Sequence, residues 1–85
     1  MRKQETIEID GVKYTVHELS VREAMPLMKA ADDEDQMEQQ LRLITASVKV
    51  NGQPLKDAGD LGMGVYTQLA TLTMKVNGLG DDSKN

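Results

Sequence analysis

His17 is the one histidine in the chain, and imidazole is the side chain that exchanges a proton near neutral pH. As a general base it would need a partner and a pocket. It follows a strand-like stretch beside Glu18, and a partly exposed strand-end histidine is the plainer reading. With no second histidine, His-cluster metal sites and histidine pairs are excluded. Asp32, Asp33, Glu34 and Asp35 gather carboxylates, but without the loop spacing, central glycine and distal glutamate that wrap calcium. Gly59, Gly62 and Gly64 resemble a phosphate-cradling loop only superficially. No strand feeds them and no Lys-Ser/Thr pair follows, so a hinge or loop is expected. Ser20 has no Gly-x-Ser-x-Gly surroundings and serves better as a helix cap. Cysteine is absent, which removes disulfides and thiolate metal sites. No catalytic, cofactor-binding or metal-binding residue is nominated, no cofactor is expected, and an enzyme is the weakest reading.

The methionines carry a different kind of chemistry. Met25, Met28, Met37, Met63 and Met74 are many for 85 residues, leaving out the initiator. Flexible, polarizable thioethers fill irregular cores, and they are also over-used on surfaces that accept helices of varying sequence. In a chain without Phe, core filling is the ordinary expectation for any one of them. Met25, Met28 and Met63 fall where the apolar pattern is least regular. Together with Leu27 and Met37 they are the nominated partner-binding residues, around an apolar groove between helices.

The elements that must position these residues are legible from periodicity. Met37, Leu41, Ile44 and Val48 recur at helical spacing, and the carboxylates of residues 32–35 suit the positive start of a helix from about Asp33. Thr6–Ile9 and Val12–Val16 alternate apolar and polar around Asp10-Gly11, the strongest short-range signal of a hairpin. Ser20 and Glu23 form a capping box for a helix over residues 21–31, in which Pro26 predicts a kink or break. Val48 to Leu55, with Asn51-Gly52 inside it, reads either as a helix cap or as a second small hairpin, and the β-branched Val48 and Val50 favour the hairpin. Asp60 is the expected N-cap of a last helix carrying Leu61, Val65, Leu69, Leu72 and Val76 on one stripe, closed by Asn77-Gly78-Leu79. The order predicts one α+β domain over residues 1–79, an N-terminal β-hairpin packed on a layer of about three α-helices. Residues 80–85 form a polar tail expected to be disordered.

Composition bounds the partners. Two Tyr, no Phe and no Trp make a thin core, so help from a protein partner or a homo-oligomer is expected. A net charge of −4 speaks against a nucleic-acid partner held by phosphate neutralisation. No basic cluster favours a membrane surface, and no stretch reaches the length of a membrane span. A soluble cytoplasmic protein is expected.

The stretch Ile7 to Val16, an alternating strand with Gly11 and then Tyr14 three residues on, leads through Leu19-Ser20-Val21-Arg22 into helices. It resembles the opening of small tail assembly chaperones of long-tailed bacteriophages. Ser47-Val48-Lys49-Val50-Asn51-Gly52-Gln53-Pro54 is similar to their Ser-Val-x-x-Asp-Gly-x-Pro turn, with Asn51 where Asp is commoner, and Asn77-Gly78-Leu79 matches their usual close. The likeness covers residues 5–79. It implies a non-catalytic protein of the bacterial host cytoplasm that coats the largely helical tape measure protein and recruits tail tube subunits. In such families a longer, frameshifted form is common. Two other readings stay open at this point: a small structural component of the virion (tail or head–tail), and a small acidic regulatory module with its carboxylates gathered near residues 32–38.

Overall fold

Asp10-Gly11 and Asn51-Gly52 adopt the same backbone, with φ of 52° and 83° in the first pair and 51° and 87° in the second. Positive φ at both central residues is what a two-residue hairpin turn needs, and Asp/Asn followed by Gly tolerates it best. In the computed structural model, which describes residues 2–30 and 35–78, these turns join β1 (Gln4–Ile9) to β2 (Val12–His17), and β3 (Val48–Val50) to β4 (Gln53–Pro54). The hairpins combine into one antiparallel sheet of order β1-β2-β3-β4 through β2–β3 pairing, with Tyr14 opposite Val50 and Val16 opposite Val48. The expected hairpin is therefore half of a four-stranded sheet.

Three helices complete an α+β fold: α1 (Val21–Ala30), α2 (Gln36–Ser47) and α3 (Met63–Val76). Cross-strand partners share a face, so Ile7, Ile9, Val12, Tyr14, Val16, Val48 and Val50 turn one side of the sheet apolar. Ile44 from α2, with Leu69 and Val76 from α3, closes over it; Val16, Ile44, Val48 and Leu69 are no more than 1 % exposed. Lys13, Lys49, Thr15 and His17 stand on the opposite side.

Several boundaries differ from expectation for local reasons. Asp35 caps α2, accepting from the Glu38 amide at 2.9 Å, so the helix starts at Gln36 rather than Asp33. Asp32 to Glu34 lie outside the described residues. Val48 is the extended C-cap of α2 and also the first residue of β3, so helix passes into strand with no loop between them. One helix runs through Pro26, so the chain is not broken into a single turn before it. Pro26 and Arg22 are both exposed, so water can solvate the Arg22 carbonyl that proline leaves unpaired. Asp60 does not cap α3. It ends a short 3-10 turn (Ala58–Asp60) capped by Asp57, whose carboxylate accepts from the Gly59 amide at 2.8 Å, and Gly62 precedes α3 with no side-chain cap. Four residues of the expected stripe lie on α3, with Leu69 and Val76 buried and Val65 and Leu72 packed against the core; Leu61 precedes the helix in extended backbone, at the end of the 3-10 turn, and packs against the core from there. Gly78 takes the left-handed cap with φ 74°; Leu79 and the polar tail of residues 80–85 lie outside the described residues. No helix among the described residues is long and apolar enough to cross a membrane.

Candidate functional site

The capping box sets the start of α1. Ser20 Oγ accepts from the Glu23 amide at 3.1 Å, and Glu23 Oε1 accepts from the Ser20 amide at 2.8 Å. Arg2 Nη1 joins the same carboxylate at 2.6 Å. One residue earlier, the Leu19 amide donates to Asn77 Oδ1 at 2.8 Å. Asn77 Nδ2 in turn donates to the Thr73 carbonyl at 3.0 Å and to Ser47 Oγ at 3.4 Å. A single amide side chain at the end of α3 therefore ties the segment entering α1 to the ends of both other helices.

From that anchor α1 presents an apolar arc of roughly 160° at 3.6 residues per turn, of which one flank packs and the other does not. Ala24 and Leu27 are half-buried, whereas Val21, Met25 and Met28, spaced i, i+4, i+7, are 78 %, 51 % and 65 % exposed. The other nominated methionines stand apart from this stripe. Met37, in the first turn of α2, is exposed, with its Sδ 3.3 Å from the hydroxyl of Tyr66, which donates to Gln40 Oε1 at 2.7 Å. Met63 opens α3 one turn before Tyr66 and is exposed.

A groove of about 640 Å³ does lie between α1, α2 and the 3-10 turn, but its character differs from the expected one. Leu27 and Leu41 give it an apolar strip, and Glu38, Arg42, Lys56 and Asp60 make the rest charged. Of the five nominated residues it takes only Leu27; Met25, Met28, Met37 and Met63 are not among its walls. The charged wall has no signature in apolar periodicity, since Arg42 and Lys56 come from segments unrelated in sequence. Open apolar surface and groove are thus neighbouring features joined through Leu27, rather than one methionine-lined channel.

A second, polar cleft of about 400 Å³ surrounds His17, with Arg2, Lys49, Glu18 and Glu23 in its walls. Burial, foremost, and then the charge of Lys49 hold the imidazole below its ordinary 6.5; Glu23 pulls it upwards, and Arg2 adds the smallest effect, downwards. Glu23 itself is held below the usual carboxylate value, by the Ser20 amide first and the Arg2 guanidinium after it. His17 is thus biased towards the neutral form and faces cations on two sides. Among the described residues no three His, Asp or Glu side chains are placed to hold one metal ion.

No protein-family model, curated protein or solved structure matches this chain. The arrangement itself must carry the functional reading. Its strongest feature is a helix with one apolar flank open to solvent.

Proposed function

We propose that this protein is a non-catalytic tail assembly chaperone that binds the tape measure protein, and tail tube subunits, in the cytoplasm of a bacterial host. The observation that supports the reading is the open flank of α1: Val21, Met25 and Met28 form a stripe at helical spacing and remain exposed after Ala24 and Leu27 have packed. Isolated apolar residues on a surface are ordinary, but a contiguous stripe on one helix marks a place where another apolar element fits. The resemblance in residues 5–79 supplies the partner. A long apolar helix awaiting its tube needs a reversible cover, and an adaptable methionine face laid against it provides weak contacts. Many copies along one tape measure chain gain strength through multivalency. The charged groove beside Leu27 would receive the polar flank of such a helix, with Lys56 facing its acidic side chains and Asp60 its basic ones.

Co-expression with the tape measure protein of the same gene cluster, followed by size-exclusion chromatography with light scattering, tests this. The expected result is a soluble complex with several copies per tape measure chain. The paired substitution Met25→Glu and Met28→Glu should abolish it while circular dichroism stays unchanged. A protein that leaves the tape measure insoluble and instead forms a discrete ring would point to a virion component.

A further inference from the structure

The two edges of the sheet are built differently. The β4 edge is two residues long and carries Pro54, which has no N–H to offer, so this edge is closed to further pairing. The β1 edge is six residues long, has no proline, and pairs with β2 residue for residue without a bulge. The register tells which of its backbone groups are free. The Glu18 amide donates to the Lys3 carbonyl at 2.9 Å, and in an antiparallel ladder such inward-bonding residues alternate with outward-facing ones. Lys3, Glu5, Ile7 and Ile9 therefore bond to β2 and its extension, and Gln4, Thr6 and Glu8 aim their N–H and C=O groups away from the sheet. The 3.1 Å approach of the Thr6 and Thr15 hydroxyls fits this, because side chains lie closest at the non-bonded pairs. Gln4, Thr6 and Glu8 are exposed, and among the described residues no hydrogen bond from another element is made to their backbones.

We infer that this edge is an interface, and that its occupant is the β1 edge of a second copy of this chain, paired antiparallel about a two-fold axis at Thr6. Residue identities select that register. Only residues that face outward on both strands can form the hydrogen-bonded pairs, which leaves three two-fold registers with substantial overlap. Centring on Glu5 sets two glutamates directly opposite each other, a like-charge pair that opposes pairing. Centring on Ile7 leaves Gln4 opposite the turn residue Asp10. Centring on Thr6 pairs Thr6 with Thr6 and Gln4 with Glu8 twice, so every outward-facing residue of both strands is used. It places Glu5 opposite Ile7, with no like charges facing. The two sheets become one sheet of eight strands with all helices on one face. The open α1 flank is a separate element from this edge, so the pairing is independent of the chaperone reading.

Light scattering of the full chain alone, across a concentration series, should give about twice the 9.4 kDa chain mass. Thr6→Pro removes an outward N–H without touching the β1–β2 bonds and should return the monomer with an unchanged circular dichroism spectrum. The chain has no cysteine, so Thr6→Cys introduces a single thiol. The paired Cα atoms would lie about 5.5 Å apart, within disulfide range, and mild oxidation should convert most of this variant to a linked dimer. Gly52→Cys, in the turn next to the closed edge, should link far less. A monomer at the highest concentration overturns the inference, as does a dimer that Thr6→Pro leaves intact. If Thr6→Pro does not fold, the crosslinking decides: equal linking of the two cysteine variants sinks the Thr6 register.

Discussion

The sheet with α2 and α3 forms one region of this molecule, and α1 forms another. In the first, apolar residues of β1, β2, β3, α2 and α3 meet, and Val16, Ile44, Val48 and Leu69 lose nearly all contact with water. In the second, an equally apolar helix packs only Ala24 and Leu27 and leaves Val21, Met25 and Met28 outside. What holds α1 at its start is polar: the Ser20–Glu23 box, the Arg2–Glu23 pair and the Leu19–Asn77 hydrogen bond. Burial scales with apolar area, whereas capping bonds and exposed ion pairs contribute little each. One region is thus stable by packing and the other is held by a few replaceable contacts.

The sharpest test of that contrast compares truncations. Leu69→Ala, at a site fully closed to solvent, should cost about 2–5 kcal/mol, read as a lower urea midpoint with an unchanged slope. Met28→Ala should stay within about 0.5 kcal/mol of the parent; a cost near that of Leu69→Ala would mean that the α1 flank is packed. Asn77→Ala comes next, at about 1–3 kcal/mol, because it strands the part-buried Leu19 amide. If Asn77 joins the two regions, hydrogen exchange in α1 should speed up more than exchange in β2. Ser20→Ala should cost about 1 kcal/mol. Its effect should be confined to α1, seen as lost helicity by NMR with the β2–β3 amides still protected.

Acidification gives the smallest effect, with a definite sign. Burial, Lys49 and Arg2 hold His17 below 6.5, so the unfolded chain takes up this proton before the folded one does. Stability is then full above pH 6.5 and falls as the pH drops through that value towards the lower folded pKa. Glu23, also lowered, adds a second loss of the same sign below 4.5 as its carboxylate is protonated. Thermal melts at stepped pH should show the first decline, and His17→Gln should remove it while leaving the second.

Much of this architecture is local, and so it is legible in the chain. Asx-Gly demands a tight turn wherever it occurs between alternating strands, Ser-x-x-Glu caps its own helix, and the Val65-to-Val76 stripe needs only helical geometry. The missed features have non-local causes. Asp60 looks like the cap of α3 in isolation, but it ends the 3-10 turn that Asp57 caps and that buries Ala58, and α3 starts after Gly62 with no side-chain cap. The candidate surface was half legible: methionine richness marked Met25 and Met28, but exposure depends on what stands opposite. Met37 shares the stripe of Leu41 and Ile44 and is nevertheless 55 % exposed.

By itself, then, the sequence determined the turns, the caps and the apolar faces, because these follow from φ preferences and from periods of two and 3.6 within a few residues. Tertiary structure alone decided that the hairpins join through β2 and β3, that α2 becomes β3 at Val48, and that Asn77 reaches an amide 58 residues away. It also decided which flank of α1 is left open. Each of these depends on segments distant in the chain competing for the same apolar sheet face, and no local pattern records which of them wins.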